Sequence, residues 1–487
     1  MNSLRRAIVF SFLEKYALLG ITLISFFIIA RLLTPQEIGI YSVSAALIGM
    51  AQVIREFGVG NYLIQKKDLT EQHIGTALGF SFVLGFSMFL VYQLGAPLTG
   101  RFYADHRLTN VVRIISINFL LLPFCSISIS LLRRDMRFGQ MMVVNTIATI
   151  VGTGTTLILA WGKWGPQSLA WGAVACNITT GVGAWLARDN RKLIIPSLRK
   201  WREIVSFGGL STVAAVVTSV AMDINDLVVG KVMGLAPVAM LNRAQGLMNL
   251  MHRDLMGAVL NVAFPVFSGL HRKDENIEPS FIAAVTSVTA FAWPFYGFIA
   301  LYPLEILRIM FGSQWDASSS LVPPFAAAGA LSALYTLIPS VMLAAGRVDL
   351  VTKSELLFQP LRAGIIVLFA ITFKSLLACA IAFLISFALA LPIFYIFKNK
   401  CVPNDFRGLF KGLRQSLMLS VLTLAAAGIY SFSAGISRAH PISLVEFGLV
   451  CGFTAICWLS FAIWLKHPIS ADPLFRRIFS RVLFFQK

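Results

Sequence analysis

Charge is what this sequence has least of. Only 13% of its 487 residues are Asp, Glu, Lys or Arg, about half the share a water-soluble domain carries, which excludes a soluble enzyme of this length. Acidic residues are the scarcer sign, 22 against 41 basic. The six cysteines (Cys125, Cys176, Cys379, Cys401, Cys451, Cys457) form no CxxC pair and lie mostly inside apolar runs, so they read as packing residues rather than metal ligands or disulfides. Nucleotide-binding loops, DxD-type metal sites and catalytic-triad spacings are missing, so no cofactor, metal or enzymatic step is expected. No loop is long enough to hold an extramembrane domain. The first apolar run has no small-residue cleavage site and carries Glu14 and Lys15, so it reads as a retained first helix.

What remains is apolar: 57% hydrophobic residues and a mean hydropathy of +0.77. Runs of about 20 such residues recur throughout, each long enough to cross about 30 Å of hydrocarbon. Backbone groups in lipid must pair internally, so the expectation is an all-α integral membrane protein. About fourteen spans are expected, from 9–31 to 442–465. They are expected to form two parallel six-helix lobes (1–200 and 201–400), followed by helices 13 and 14 and a basic cytoplasmic tail (401–487). The eighth span, 240–268, is the most polar.

The net charge of +19 points to the membrane and not to nucleic acid, because the basic residues sit in short loops between spans. One set of alternate loops holds most of them; the opposite set holds Arg31, Arg101, Arg107, Lys163, Lys231, Arg308, Lys374 and Arg438. That bias puts both termini in the cytoplasm. The longest cytoplasmic connection, Arg188 to Arg202, would be the hinge between halves.

A weak internal repeat supports two halves. RLLTPQEIGIYS from Arg31 aligns with KVMGLAPVAMLN from Lys231, QKKD from Gln65 with HRKD from His271, and RFYADH from Arg101 with FGSQWD from Phe311. Parallel repeats of this kind place their sites near the midplane between the halves.

Polar residues inside spans are the functional candidates, since a charge at the bilayer centre costs about 2.5–3.5 kcal/mol on insertion scales. Asn242, Gln245, Asn249, His252 and Arg253 step by three or four along the eighth span and share a face. Gln52, Arg55 and Glu56 do so in the second span, Glu355, Gln359 and Arg362 in the eleventh, and Lys15 lies on the polar face of the first. Lys15, Arg55, Asn249, Arg253, Gln359 and Arg362 are therefore expected to line one cationic cavity. Glu14 with Lys15 and Arg55 with Glu56 could equally be structural pairs or snorkelling groups. Asp223, Asp226 and Glu56 are ion-coupling candidates, the two aspartates being alternatively partners for Arg243 or Arg253. Arg113 reads as an interfacial anchor, and Trp161, Trp164, Trp171, Trp293, Tyr302 and Trp315 mostly as an aromatic belt. Arginines in a low-dielectric cavity suit a phosphate-bearing anion, which guanidinium binds bidentately.

The stretches ARLLTPQEIGIY (from Ala30), FGVGNYLIQKKDLTEQ (from Phe57), DINDLVVGKVMGLAPVAMLNRA (from Asp223), FPVFSGLHRKD (from Phe264), FGSQW (from Phe311) and LAAGR (from Leu343) occur in an order that resembles the Wzx-type lipid-linked oligosaccharide flippases. These form the polysaccharide-transport branch of the multidrug/oligosaccharidyl-lipid/polysaccharide exporter superfamily. Ala239 and Leu241 stand where that family usually has Gly and Tyr. The resemblance implies a two-lobed, fourteen-helix inner-membrane transporter working by alternating access. Its implied substrate is an undecaprenyl-pyrophosphate-linked oligosaccharide, moved to the outer leaflet for capsule, exopolysaccharide or O-antigen assembly. It also implies contact with membrane lipids, with the last two helices offering a groove for the lipid tail; a polysaccharide polymerase is a partner by analogy only. A multidrug extruder or a lipid II flippase of the same superfamily is the alternative.

Overall fold

The computed structural model describes residues 20–21, 24–188, 195–433 and 443–471. All regular structure among them is helical. Among the described residues, ten helical stretches are long and apolar enough to cross a membrane. Many of their large apolar side chains face outward, such as Leu94, Leu98 and Ile158, the inside-out surface of a protein whose solvent is lipid. The chain divides into two units, Met1–Ala239 and Met240–Lys487.

In the first unit, α1 (Pro35–Glu56) starts at a capping box, where the Thr34 hydroxyl accepts from the Glu37 N–H and the Glu37 carboxylate accepts from the Thr34 N–H. It stops at Phe57 and Gly58, two successive left-handed residues (φ 40° and 66°), and the chain resumes as α2 (Val59–Gln65). The expected single span 38–60 is thus kinked, because a left-handed pair cannot continue a right-handed helix. Then come α3 (Glu71–Phe102), α4 (His106–Ser116), α5 (Asn118–Arg134), α6 (Phe138–Trp161), α7 (Pro166–Leu186) and α8 (Trp201–Val232). Gly39 of α1 sits against the Leu235 carbonyl so closely that an added Cβ would lie 1.8 Å from its oxygen; only glycine allows that approach.

α9 (Leu235–Asn249) begins 200 residues after α1, at the equivalent place in the sequence repeat. The other repeat anchors also mark helix ends: Gln65 closes α2 and Arg272 closes α10, while Phe102 closes α3 and Phe311 closes α12. Beyond α9 a π-helical segment (Leu250–Leu255) leads into α10 (Met256–Arg272). The eighth span therefore carries a widened turn at its polar stripe, a feature common at functional sites.

The second unit continues with α11 (Glu278–Leu301), α12 (Pro303–Phe311), a 3₁₀ segment (Ser313–Leu321), α13 (Val322–Ser332) and α14 (Ile338–Ala344). After these come α15 (Val348–Phe373), α16 (Leu376–Asn399), α17 (Phe406–Ser433), α18 (Leu444–Trp464) and α19 (Pro468–Ala471). The expected continuous span 319–345 is instead two helices around a turn. Its donors still pair locally: Thr336 N–H and hydroxyl both reach the Ser332 carbonyl (3.0 and 2.7 Å), and Tyr335 N–H does so at 3.1 Å. Pro339, in the first turn of α14, is where a proline fits a helix start.

Two buried charges are accommodated in this unit in different ways. Lys398 is wholly buried, paired with Glu278 and lying 4.7 Å over the Phe281 ring, while the other Glu278 oxygen accepts from the Asp405 N–H at 3.0 Å. Arg243 stacks on Phe311 (5.0 Å) and Trp315 (4.8 Å). Trp315, expected in an interfacial belt, is fully buried by that stack, and Tyr302, its hydroxyl on the Ala427 carbonyl at 2.9 Å, is buried too. Trp161 and Trp164 are exposed at helix ends, as belt residues are.

Candidate functional site

The second unit gathers a polar cluster inside an aromatic box. On α15, Glu355, Gln359 and Arg362 fall on one face by their steps of four and three. The Gln359 amide donates to the Glu355 carboxylate at 2.8 Å. Arg362 is held between rings, its guanidinium 5.8 Å from Phe358, four residues back on the same helix, and 5.9 Å from Phe383 of α16. Phe383 stacks on Phe387 (4.6 Å), which also meets Phe358, Tyr335 and His252. Tyr335, in the turn after α13, stacks on Phe394 at 5.1 Å.

The break after α13 and the π-helical turn after α9 bring two further polar groups here. His252 Nδ1 lies 2.9 Å from the Ser332 hydroxyl. That hydroxyl donates to the Gly329 carbonyl (2.7 Å), so its oxygen accepts and the ring proton sits on Nδ1. His252, Tyr335 and Glu355 all lie near enough to Arg362 to interact with its charge.

Two atoms of the cluster are buried without a hydrogen-bond partner, Arg362 Nε and Gln359 Oε1. A donor and an acceptor left open in an apolar surround cost about 1–3 kcal/mol each, more for the charged one. They sit one helical turn apart. The pair is suited to a ligand that presents an anionic oxygen beside a hydroxyl.

The other expected site residues lie elsewhere or outside the described set. Arg55 is in the first unit at the end of α1, 1% exposed, with Nη2 3.2 Å from Glu56 while Nε and Nη1 have no partner. Glu56 itself is exposed. Asp223 on α8 accepts from Ser219 at 3.2 Å and faces Gly49 of α1; Asp226 is on the same helix, one turn further. Asn249 closes α9, and Arg253 falls in the π-helical turn, its side chain outside the described residues. Lys15 also lies outside the described residues. Arg113 is exposed on α4, as an anchor would be. Sequence reasoning missed Tyr335 and Ser332, whose only signal is the Gly329–Pro339 interval that breaks the span. Among the described residues no cluster of His, Cys, Asp and Glu could hold a metal ion.

Comparison with known proteins matches this architecture. Residues 28–320 fit the model of a family described as polysaccharide biosynthesis protein. The chain is 22% identical over 463 residues to the teichuronic acid biosynthesis protein TuaB of Bacillus subtilis (strain 168), covering 94% of each. It is 20% identical over 338 residues to the lipopolysaccharide biosynthesis protein WzxC of Escherichia coli (strain K12), covering 69% of each. Among solved structures, the lipid II flippase MurJ in an inward closed conformation superposes with a TM-score of 0.77 at 13% identity, over 94% of this chain and 99% of that one. An inward-facing multidrug resistance MATE family transporter gives 0.61 at 14% identity, over 82% and 94%. Those likenesses establish a shared fold: a multi-pass helical membrane protein of the MurJ and MATE type. Since the family match spans more than half of its length, this chain belongs to the polysaccharide biosynthesis protein family, in accord with the Wzx-type resemblance of its sequence.

Proposed function

We propose that the protein carries a polyprenyl-pyrophosphate-linked oligosaccharide repeat unit from the cytoplasmic to the outer leaflet of the bacterial inner membrane. It does so by alternating access, for exopolysaccharide, capsule or O-antigen assembly, and without covalent chemistry. The observation that carries this reading is the family match over residues 28–320, joined by relatives named for the synthesis of surface polysaccharides.

The buried cluster supports a role in binding. A pyrophosphate entering a low-dielectric site needs fixed cations, and a guanidinium clamped between rings is already oriented and loses little entropy on engagement. Arg362 Nε meets the anion; Gln359 Oε1 and Tyr335 meet sugar hydroxyls. Arg253, Arg55, Lys15 and Asn249 extend the cationic path in a fourteen-helix arrangement of two parallel six-helix lobes, with both termini in the cytoplasm. An ion gradient or the membrane potential drives the cycle, with Asp223, Asp226 and Glu56 as the coupling acids; transport that survives collapse of both gradients would remove that part. Contact with a polysaccharide polymerase follows by analogy.

The test is the lipid-linked glycan pool of cells lacking the protein, with surface polysaccharide measured in parallel. Accumulation of undecaprenyl-pyrophosphate oligosaccharide with loss of surface polymer supports the reading. Normal polysaccharide with altered drug retention would point to an extruder instead, and accumulation of lipid II to a cell-wall flippase.

A further inference from the structure

Two apolar furrows in the first unit are not used by the transport cluster, and they lie on either side of α7. The larger, about 430 Å³, is walled by Leu78 of α3, Leu121 and Phe124 of α5, and Ile178 and Val182 of α7. The smaller, about 380 Å³, runs between Val143 and Ile147 of α6 and Thr179 and Leu186 of α7. At 3.6 residues per turn, Gly181, Trp185 and Arg188 fall on one face of the helix and Thr179, Gly183 and Leu186 on another. Phe124, Ile178, Val182, Val143 and Ile147 are all exposed, on helices of membrane-spanning length. Both furrows therefore open toward hydrocarbon.

Both also end at the same membrane face, where the basic connection 188–202 begins. Arg188 closes the larger furrow. Its guanidinium makes no ion pair among the described residues; Asp135 at the end of α5 supplies opposing charge, and burial pushes Arg188 below its ordinary range. At the mouth of the smaller furrow stands Gln140, 3.5 Å from the Arg137 guanidinium. Arg188 thus lines the larger furrow, and Arg137 reaches the mouth of the smaller one through Gln140. The last carbonyls of α7 carry the negative end of the helix dipole and would repel an anion arriving there, so these cations are what makes the place hospitable to one.

We propose that an anionic diacyl phospholipid of the bilayer straddles α7, one acyl chain in each furrow, with its phosphate between Arg188 and Arg137. Basic residues at the cytoplasmic ends of grooves between membrane helices recognise acidic head groups in this way. The pairing of two furrows with two arginines favours a two-chain lipid over a polyprenyl phosphate, whose single chain would fill one furrow only.

The test uses the full chain reconstituted in phosphatidylcholine vesicles doped with phosphatidylglycerol or with undecaprenyl phosphate, followed by native mass spectrometry of the lipid that stays bound. Wild type should retain phosphatidylglycerol over phosphatidylcholine by about tenfold, the ratio that about 1.4 kcal/mol produces. Arg188→Gln should bring that ratio to near parity. Val182→Trp, at an exposed wall position, should lower retention while thermal unfolding in pure phosphatidylcholine stays unchanged. Equal retention of the two phospholipids by wild type, an unaltered ratio in Arg188→Gln, or displacement of phosphatidylglycerol by undecaprenyl phosphate would each overturn the proposal. Transport is not read in this assay, so the outcome is independent of the transported cargo.

Discussion

Lys398 is wholly buried and Arg362 partly so with its Nε covered, and their surroundings differ. Lys398 is neutralised by Glu278 and covered by Phe281, so its environment is complete. Removing one member leaves a buried charge unpaired: Glu278→Leu or Lys398→Met alone should cost about 3–5 kcal/mol, while the double substitution should be close to neutral. Thermal unfolding of the three variants in one detergent checks this. Arg362 is incomplete, with Nε open. Arg362→Gln should leave folding intact and weaken binding of a soluble polyprenyl-pyrophosphate analogue by about 10- to 100-fold, the loss of a charged hydrogen bond. Arg362→Lys should rescue little, because the ammonium lacks the planar fork; calorimetric titration decides it. The step of four and then three made Glu355, Gln359 and Arg362 legible in the sequence. Tyr335, Ser332 and the stacking of Trp315 on Arg243 were not, because each depends on a partner from another helix that periodicity cannot reveal.

Helices in lipid gain little from apolar burial against each other, so their association depends on close packing and on polar contacts near their ends. Gly39 is such a packing point. Gly39→Val would drive a side chain into the Leu235 carbonyl and should cost about 3 kcal/mol, at the top of the overpacking range, visible as loss of monodisperse protein on size-exclusion chromatography. At the start of α8, Glu203 accepts from Lys66 (2.8 Å) and Tyr62 (3.1 Å), with His73 and Lys200 close by. Ser197 N–H on the Gly75 carbonyl ties the preceding segment to α3. The Lys66 and Tyr62 hydrogen bonds hold the Glu203 carboxyl below the usual range. Such a group stabilises the fold above the unfolded carboxylate pKa of about 4.3, and the stabilisation is lost as pH falls through the lower folded value. Hydrogen exchange at residues 197–203 should thus stay protected from pH 7 to 5 and accelerate only below about pH 4. Glu203→Gln should lack that step. The approximate helix ends were visible in the sequence, but the Thr34–Glu37 cap, the π-helical turn at Leu250 and the break at Ala333 were not read from it. The turn and the break each swap one set of local backbone hydrogen bonds for another, which leaves hydropathy unchanged.

For the whole molecule, composition alone was sufficient to specify a polytopic helical protein. The ten stretches of spanning character correspond to the expected second to sixth, ninth, and eleventh to fourteenth spans. Outside that set are the first and seventh spans, whose residues are described only in part, and the two spans interrupted by the π-helical turn or the break, α9–α10 and α13–α14. Irregular backbone at membrane depth is tolerated where protein or a cavity satisfies it, and the two interrupted spans bring His252 and Ser332 within 2.9 Å of each other.

The proposed function assigns movement of a pyrophosphate-linked glycan between leaflets to the polar cluster around Arg362. The most direct measurement is the rate at which a labelled undecaprenyl-pyrophosphate oligosaccharide becomes accessible at the outer surface of vesicles holding the purified protein, with an imposed gradient. Wild type should give rapid exposure, and Arg362→Gln, folded to the same melting temperature, should reduce the rate about 10-fold or more. Exposure by Arg362→Gln at the wild-type rate would contradict the assigned cluster, and no exposure above protein-free vesicles by wild type would contradict the transport itself.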